Sequence, residues 1–328
     1  MKHLLIIRFS ALGDVAMVVP IVRQLAVAYP DIQITMLSRK LVAPLFKDMP
    51  ENVQFVGADL KGKHRGIKGL NLLLDDIQYQ QFDMVADMHN VLRSKWITWR
   101  MRLIGKRVSV LQKGRGQKWL LTHVKHYKSL TTTIQRYMQV LKKLGLDFDL
   151  SFQAQTHSSK IGYGVAPFAA HSGKIYPLDM MEMVVKDLAL IGEPVYLFGA
   201  GQKEKDILEA WEKKYDNVHS LVGKYTMDEE IKIMRELRLM LTMDSANMHL
   251  ASLAPTRVLS IWGATHPKAG FLGWGQNLED CVQRNDMECR PCSIYGNKPC
   301  KYGDYRCLNI SPEIILTRIH ETAVESKI

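Results

Sequence analysis

Two hydrophobic spacings alternate along the first 110 or so residues. Short apolar runs, "HLLIIRF" (3–9), "IQITMLS" (32–38), "VQFVGA" (53–58), "MVADMH" (84–89) and "RVSVL" (107–111), have the length and β-branched content of buried strands. Between them, stretches such as "VVPIVRQLAVAY" and "VLRSKWITWRMRL" read as amphipathic helices. Strands alternating with helices predict βαβ units and a parallel sheet. A polar stretch, "DFDLSFQAQTHSSK" (147–160), interrupts the pattern and reads as a linker. The pattern restarts with "YGVAPFAA" (163–170), "PVYLFG" (194–199), "VHSLV" (218–222), "LRLMLTMD" (237–244) and "TRVLSIWG" (256–263), with "LDMMEMVVKDLALIG" and "KEKDILEAWEKKY" as intervening helices. A closing helix is predicted over "SPEIILTRIHETAVE" (311–325), where Ser311 can cap and Pro312 suits the first turn. The expected architecture is α/β: two doubly wound domains, 1–150 and 160–310, then a terminal segment over 311–328. A ligand is expected at the C-terminal ends of the strands, between the domains.

The 328 residues are enough for two full cores, and 47% hydrophobic with 23% charged residues is the composition of a soluble globular protein. No apolar run approaches the roughly 20 residues of a membrane span. The chain enters a strand-like segment after Lys2 and His3 with no small-residue cleavage site, so the expected compartment is the cytoplasm. The net charge of +11 is segregated: residues 61–128 hold 15 Lys/Arg against Asp75, Asp76, Asp83 and Asp87, and the remainder holds 29 of each sign. Such a field predicts an anionic partner: nucleic acid, an anionic membrane surface or a phosphorylated glycolipid. Aromatic-rich RNA motifs and helix-turn-helix spacing are not evident, which counts against nucleic acid. Neither half has G-x-G-x-x-G after its first strand or a G-x-x-x-x-G-K-[ST] loop, which counts against dinucleotide oxidoreductases and P-loop ATPases.

The first strand leads into "RFSALGDVAMVVP" (8–20), a turn with one glycine, Gly13, and an acid, Asp14. An Asp here fits a helix cap; it also fits a general base that accepts a proton from an attacking hydroxyl. A carboxylate repels phosphate, so a donor's phosphates need another seat. "LTMDSANMHLASLAP" (241–255) offers one: a strand runs into Asp244-Ser245-Ala246 and a helix follows through His249. Small residues let backbone N–H groups approach an anion, Ser245 adds a hydroxyl, and Asp244 can bind sugar hydroxyls, although an ordinary capped helix explains the pattern equally well. Lys174, in "AAHSGKIYP" (169–177), can neutralise a diphosphate leaving group as a point charge. Four of the five cysteines, Cys289, Cys292, Cys300 and Cys307, are spaced C-x₂-C-x₇-C-x₆-C. That spacing suggests a structural zinc site, with free thiols as the alternative; a catalytic zinc is not expected, since all four thiols would be consumed as ligands.

These stretches resemble, in order, the motifs of the heptosyltransferases, glycosyltransferase family nine. "RFSALGDVAMVVP" is similar to S-x-[LI]-G-D followed by a hydrophobic helix, "DMHNVLRS" (87–94) to D-x-[HQ]-x-x-x-R-S, and "GKIYP" to K-x-W-P with Tyr176 as the aromatic. "MDSANMHLASL" is similar to D-[ST]-G-x-x-H-[LI]-A, and "SIWGATHP" to F-G-x-T-x-P. The resemblance implies a GT-B fold with a C-terminal helix crossing back to the first domain. It implies inverting, metal-independent transfer with no cofactor, from an ADP-heptose-type donor to the lipopolysaccharide inner core. Asp14 falls on the proposed base, Lys174 on the diphosphate-binding lysine, Asp244, Ser245, Ala246 and His249 on the donor loop, and Tyr225 on a position lining the adenine. Ser10, His89, Arg93, Lys113 and Arg115 fall on the side of an anionic glycolipid acceptor at the inner-membrane surface, where Trp96, Trp99 and Trp119 can reach the interface and the protein would sit peripherally. The donor-loop glycine is Ala246 here, and threonines that precede the lysine in some relatives are Ala169 and Ala170. Two other readings stay open: a further GT-B reaction such as nucleotide-sugar epimerisation, and a non-catalytic protein with a basic binding surface.

Overall fold

The computed structural model describes residues 2–124, 127–151 and 160–325; positions 152–159 of the predicted linker and the last three residues of the terminal segment lie outside the described residues. The chain divides into two units, one of residues 1–114 and 131–151, the other of 115–130 and 152–328.

The first unit is a five-stranded parallel sheet of β1 (Lys2–Ile7), β2 (Ile32–Arg39), β3 (Val53–Ala58), β4 (Met84–Asp87) and β5 (Arg107–Val110), in the order β3-β2-β1-β4-β5. Its helices are α1 (Leu12–Ala16), α2 (Val19–Ala28), α3 (Gly66–Asp76), α4 (Leu92–Leu103) and α6 (Thr133–Lys142), while α5 (Arg115–His123) belongs to the other unit. Leu4, Leu5, Ile6 and Ile7 of β1 are all fully buried, as a central strand covered on both faces requires. The strand order reverses at β1, with β2 on one side and β4 on the other. In doubly wound sheets the crevice that takes ligand opens at such a switch point, outside the strand C-termini. Here those ends deliver Arg8–Asp14 and Asp87–Asn90.

The second unit repeats the plan with β6 (Tyr163–Ala166), β7 (Val195–Leu197), β8 (Val218–Ser220), β9 (Leu239–Met243), β10 (Val258–Trp262) and β11 (Cys281–Gln283), in the order β11-β10-β9-β6-β7-β8, all pairs parallel. Around it lie α7 (Leu178–Leu190), α8 (Gln202–Glu212), α9 (Met227–Glu236), α10 (Ala246–Leu253) and α11 (Pro312–Glu325). Its switch point falls between β6 and β9, whose ends lead to Lys174 and to Asp244.

The division into units departs from the expected boundary at one segment. The boundary at 150 leaves α5 in the first domain, but residues 115–130 group with the second unit, because Leu121 and Leu130 close a small core with Ala269 and the Lys118 ammonium lies 4.8 Å from the Phe271 ring centre and 5.1 Å from that of Tyr295. The seat that the structure shows for α11 is α7, within its own unit, where Ile315 and Ile319 are fully buried.

Candidate active-site elements

Arg8 leaves β1 straight into the first crevice and is only 7% exposed. A buried cation is costly unless its donors are met. Its Nη1 donates to the Met88 carbonyl at 2.6 Å, its Nη2 pairs with Asp14 Oδ2, and its guanidinium carbon lies 5.7 Å from the centre of the buried Tyr137 ring. Asp14 Oδ2 also accepts the Ala11 N–H at 3.2 Å, so this carboxylate does cap its short helix. Among the described residues nothing donates to Oδ1, the atom left open to take a proton. From β4, the wholly buried Asp87 accepts the N–H groups of His89 and Asn90, both at 2.8 Å; burial raises its carboxyl pKa and those donors oppose the rise. The turn so formed sets His89 against β1. Its Nδ1 accepts the Phe9 N–H at 3.4 Å, which leaves the proton on Nε2 facing Ser10 Oγ, also at 3.4 Å. Burial first, then the charges of Arg8, Lys113 and Arg93, push the His89 pKa down to about 3, with Asp14 opposing in part. His89 is therefore a neutral donor rather than an acid–base group. Four of the acceptor candidates, Ser10, His89, Arg93 and Lys113, thus share one electrostatic neighbourhood with Asp14; Arg115 lies in the second unit, exposed at the start of α5.

At the second crevice Lys174 Nζ reaches Asp244 Oδ2 at 2.9 Å and the Asp244 carbonyl at 3.0 Å. The lysine stem is clamped by Gly296, whose φ is +75° and where a Cβ would sit 2.6 Å from Lys174 Cγ. Tyr176, fully buried, anchors the loop by donating its N–H to Met243 Sδ at 3.4 Å and its hydroxyl to the Ile310 carbonyl at 2.5 Å. Ser245 occupies the cap position of α10, yet its buried hydroxyl has no partner among the described residues, and Ala246 opens the helix. His249 is buried one turn further on. Tyr225 is 46% exposed just ahead of Thr226, the cap of α9, and α9 packs on α10. A lysine, an idle hydroxyl and the free N–H groups of a helix start can together hold a diphosphate.

The sequence profile of glycosyltransferase family 9 (heptosyltransferase) matches residues 73–302, more than two-thirds of the chain. The chain belongs to glycosyltransferase family 9. It is 24% identical over 296 residues to lipooligosaccharide heptosyltransferase 2 of Haemophilus influenzae, covering 81% of this chain and 84% of that one. Among solved structures it is similar to a family 9 glycosyltransferase of Veillonella parvula (TM-score 0.76, 18% identity, 99% of this chain and 98% of that one). It is similar also to the ADP-heptose LPS heptosyltransferase II of E. coli (TM-score 0.71, 18% identity, both chains covered in full). These whole-chain likenesses give the fold as GT-B, two Rossmann-like units.

In this family 9 chain the loop carries Cys289, Cys292, Cys300 and Cys307, the candidates for a structural zinc site or for free thiols. All five cysteines are free, and among the described residues no three His, Cys, Asp or Glu side chains gather closely enough to hold a metal ion. The loop is organised about Arg290, whose guanidinium donates to the carbonyls of Trp262, Gly263, Thr265 and Arg284. Cys289, Cys292 and Cys307 lie within electrostatic reach of that cation, and burial pushes the Cys307 thiol up to about 11. The other side of the loop carries Gly296 and so bears on Lys174. The sequence reading missed Arg8, Tyr137 and Gly296; a charged residue directly after the apolar run Leu4–Ile7 was the available signal for Arg8.

Proposed function

We propose that this family 9 glycosyltransferase moves a heptose from an ADP-heptose donor to the inner core of a lipopolysaccharide or lipooligosaccharide, inverting the anomeric carbon and using neither metal nor cofactor. The observation that carries the reading is the division of labour between the two switch points, a carboxylate with one open oxygen at the first and a lysine beside an unpartnered hydroxyl and a helix start at the second. Asp14 Oδ1 takes the proton of an acceptor hydroxyl as its oxygen bonds to the anomeric carbon. The bond from that carbon to the diphosphate oxygen breaks, and the nucleoside diphosphate leaves with the electron pair. Lys174 and the N–H groups opening α10 meet the developing charge, so Lys174 exchanges Asp244 for phosphate during turnover. Arg8 fixes Asp14 through Oδ2, which keeps Oδ1 turned outward. Tyr225 lines the base, and Ser10, His89, Arg93 and Lys113 hold the acceptor. The names of the relatives support the donor and the acceptor class, and the basic segment suits an acidic glycolipid at the cytoplasmic face of the inner membrane.

Calorimetric titration with ADP, UDP, GDP and CMP at one salt concentration tests the donor. ADP is expected to bind tightest; a preference for UDP or GDP would overturn the ADP-heptose assignment. Transfer that persists in excess chelator is the expected result for the metal-independent route, and its loss would overturn that part.

A further inference from the structure

Helix α4 carries two apolar stripes where a surface helix of a globular protein needs one. The inward stripe is buried: Ile97 and Met101, with Ser94 and Thr98 beside them. Positions 92, 96, 99 and 103 stack on the opposite side by the helical period. Leu92 is 86% exposed, Leu103 63% and Trp99 48%. Trp96 is half-buried, its indole N–H donated to Asn71 of α3 at 2.9 Å and its ring centre 5.1 Å from that of Trp99. Cations bracket this stripe, Lys95 and Arg102 on one edge and Arg93 and Arg100 on the other, and α4 contains no acid. Ile104, just beyond, is exposed, and α3, packed alongside, adds exposed Ile67 and Leu72 with Lys68. The acids of α3 are Asp75 and Asp76 at its end, and Asp76 is tied to Lys63 at 2.6 Å.

We propose that this α3–α4 face of the first unit docks on a membrane surface that carries anionic lipid. Leu92, Trp99 and Leu103 enter the boundary between headgroups and acyl chains, while Lys95 and Arg102 meet lipid phosphates. An outward stripe of Leu and Trp edged by Lys and Arg is the pattern of a helix lying in the interface plane. Nucleic acid would engage the cations but has no use for the three exposed apolar side chains Leu92, Trp99 and Leu103 on one stripe. None of the described helices is long and apolar enough to cross a membrane, so this face lies on the surface rather than spanning it. The inference deepens the proposed function and rests on it for the acceptor's location. Among the tryptophans it singles out Trp99: Trp119 is exposed in the other unit, stacked on His123 with ring centres 4.5 Å apart.

The test is vesicle flotation of the full chain, with phosphatidylcholine alone and with about 30% phosphatidylglycerol, enough to give a substantial surface potential. The variants are Trp99→Ser with Leu103→Ser, and Lys95→Gln with Arg102→Gln; all four sites are outward-facing, and thermal melts check that each variant folds. The wild type is expected to float with the anionic vesicles. The apolar pair should lose about tenfold or more in binding, since two buried anchors are removed. The basic pair should lose about fivefold per cation and with it the preference for anionic lipid. Wild type that stays unbound, variants that bind as wild type, or capture of an oligonucleotide in place of vesicles would each overturn the proposal. ADP titration of the same preparations separates the two readings: ADP binding without flotation sinks the docking face alone, and flotation without ADP binding sinks the donor assignment alone.

Discussion

At Asp14 the two oxygens of one carboxylate differ: Oδ2 is spent on Arg8 and the Ala11 N–H, and in the proposed transfer Oδ1 takes the proton. Asp14→Asn keeps most of the cap and loses the base, so kcat should fall by about 10²–10⁴ with ADP affinity unchanged, read by steady-state kinetics and calorimetry. Equal turnover would remove Asp14 from the mechanism. Lys174→Ala should do the reverse, weakening ADP by about tenfold or more because a charged hydrogen bond to the diphosphate is lost. A third residue bears on stability. Burial raises the pKa of Glu230, in the first turn of α9, to about 7. The folded state then holds a proton that the unfolded chain releases above its ordinary 4.5, so this group makes stability fall as pH rises from about 4.5 to 7. Glu230→Gln should therefore raise the melting temperature at pH 8 and leave it unchanged at pH 4.

Among the elements, the ten strands read from apolar runs are all present; central ones such as β1 and β9, covered on both faces, are largely apolar along their buried length, and the edge strands β3, β5 and β8 are only partly buried. β11 was invisible: of Cys281, Val282 and Gln283 only Val282 is buried. Asp14, Lys174 and Asp244 were legible because each lies in the segment that follows an apolar strand, where local sequence marks a change of structure. Arg8 and Tyr137 were not, since their contact spans well over 100 positions and only the folded sheet brings them together. Gly296 was hidden for the same reason, its meaning lying in the stem of Lys174. Gly296→Ala needs a Cβ at positive φ and 2.6 Å from that stem. It should cost about 1–3 kcal/mol in a denaturant melt and weaken ADP, while a merely local loop effect would leave ADP affinity intact.

Across the molecule, acid should act through two histidines, the buried His89 and the half-buried His266. His89 and His266 are pushed down to about 3 and 4, in both cases by burial first. Unfolded, both take up protons near 6.5; folded, they resist, so stability falls as pH drops below about 6.5 toward those values. His89 contributes a loss of about 2 kcal/mol at pH 5 and the part-exposed His266 less, both partly offset by Glu230, and His89→Gln should shrink the difference between denaturation at pH 7 and at pH 5 by about 2 kcal/mol. The interleaved path of the chain has a consequence for ancestry. Residues 115–130 sit between two pieces of the first unit yet close the core beside Ala269. Genes of relatives recombined near codon 150 would bring one parent's α5 to a seat shaped by the other's Phe271 and Tyr295. Exchange of the N-terminal half between lineages is thus expected to succeed only when this inner segment stays with the second unit, or when both parents already share its contacts.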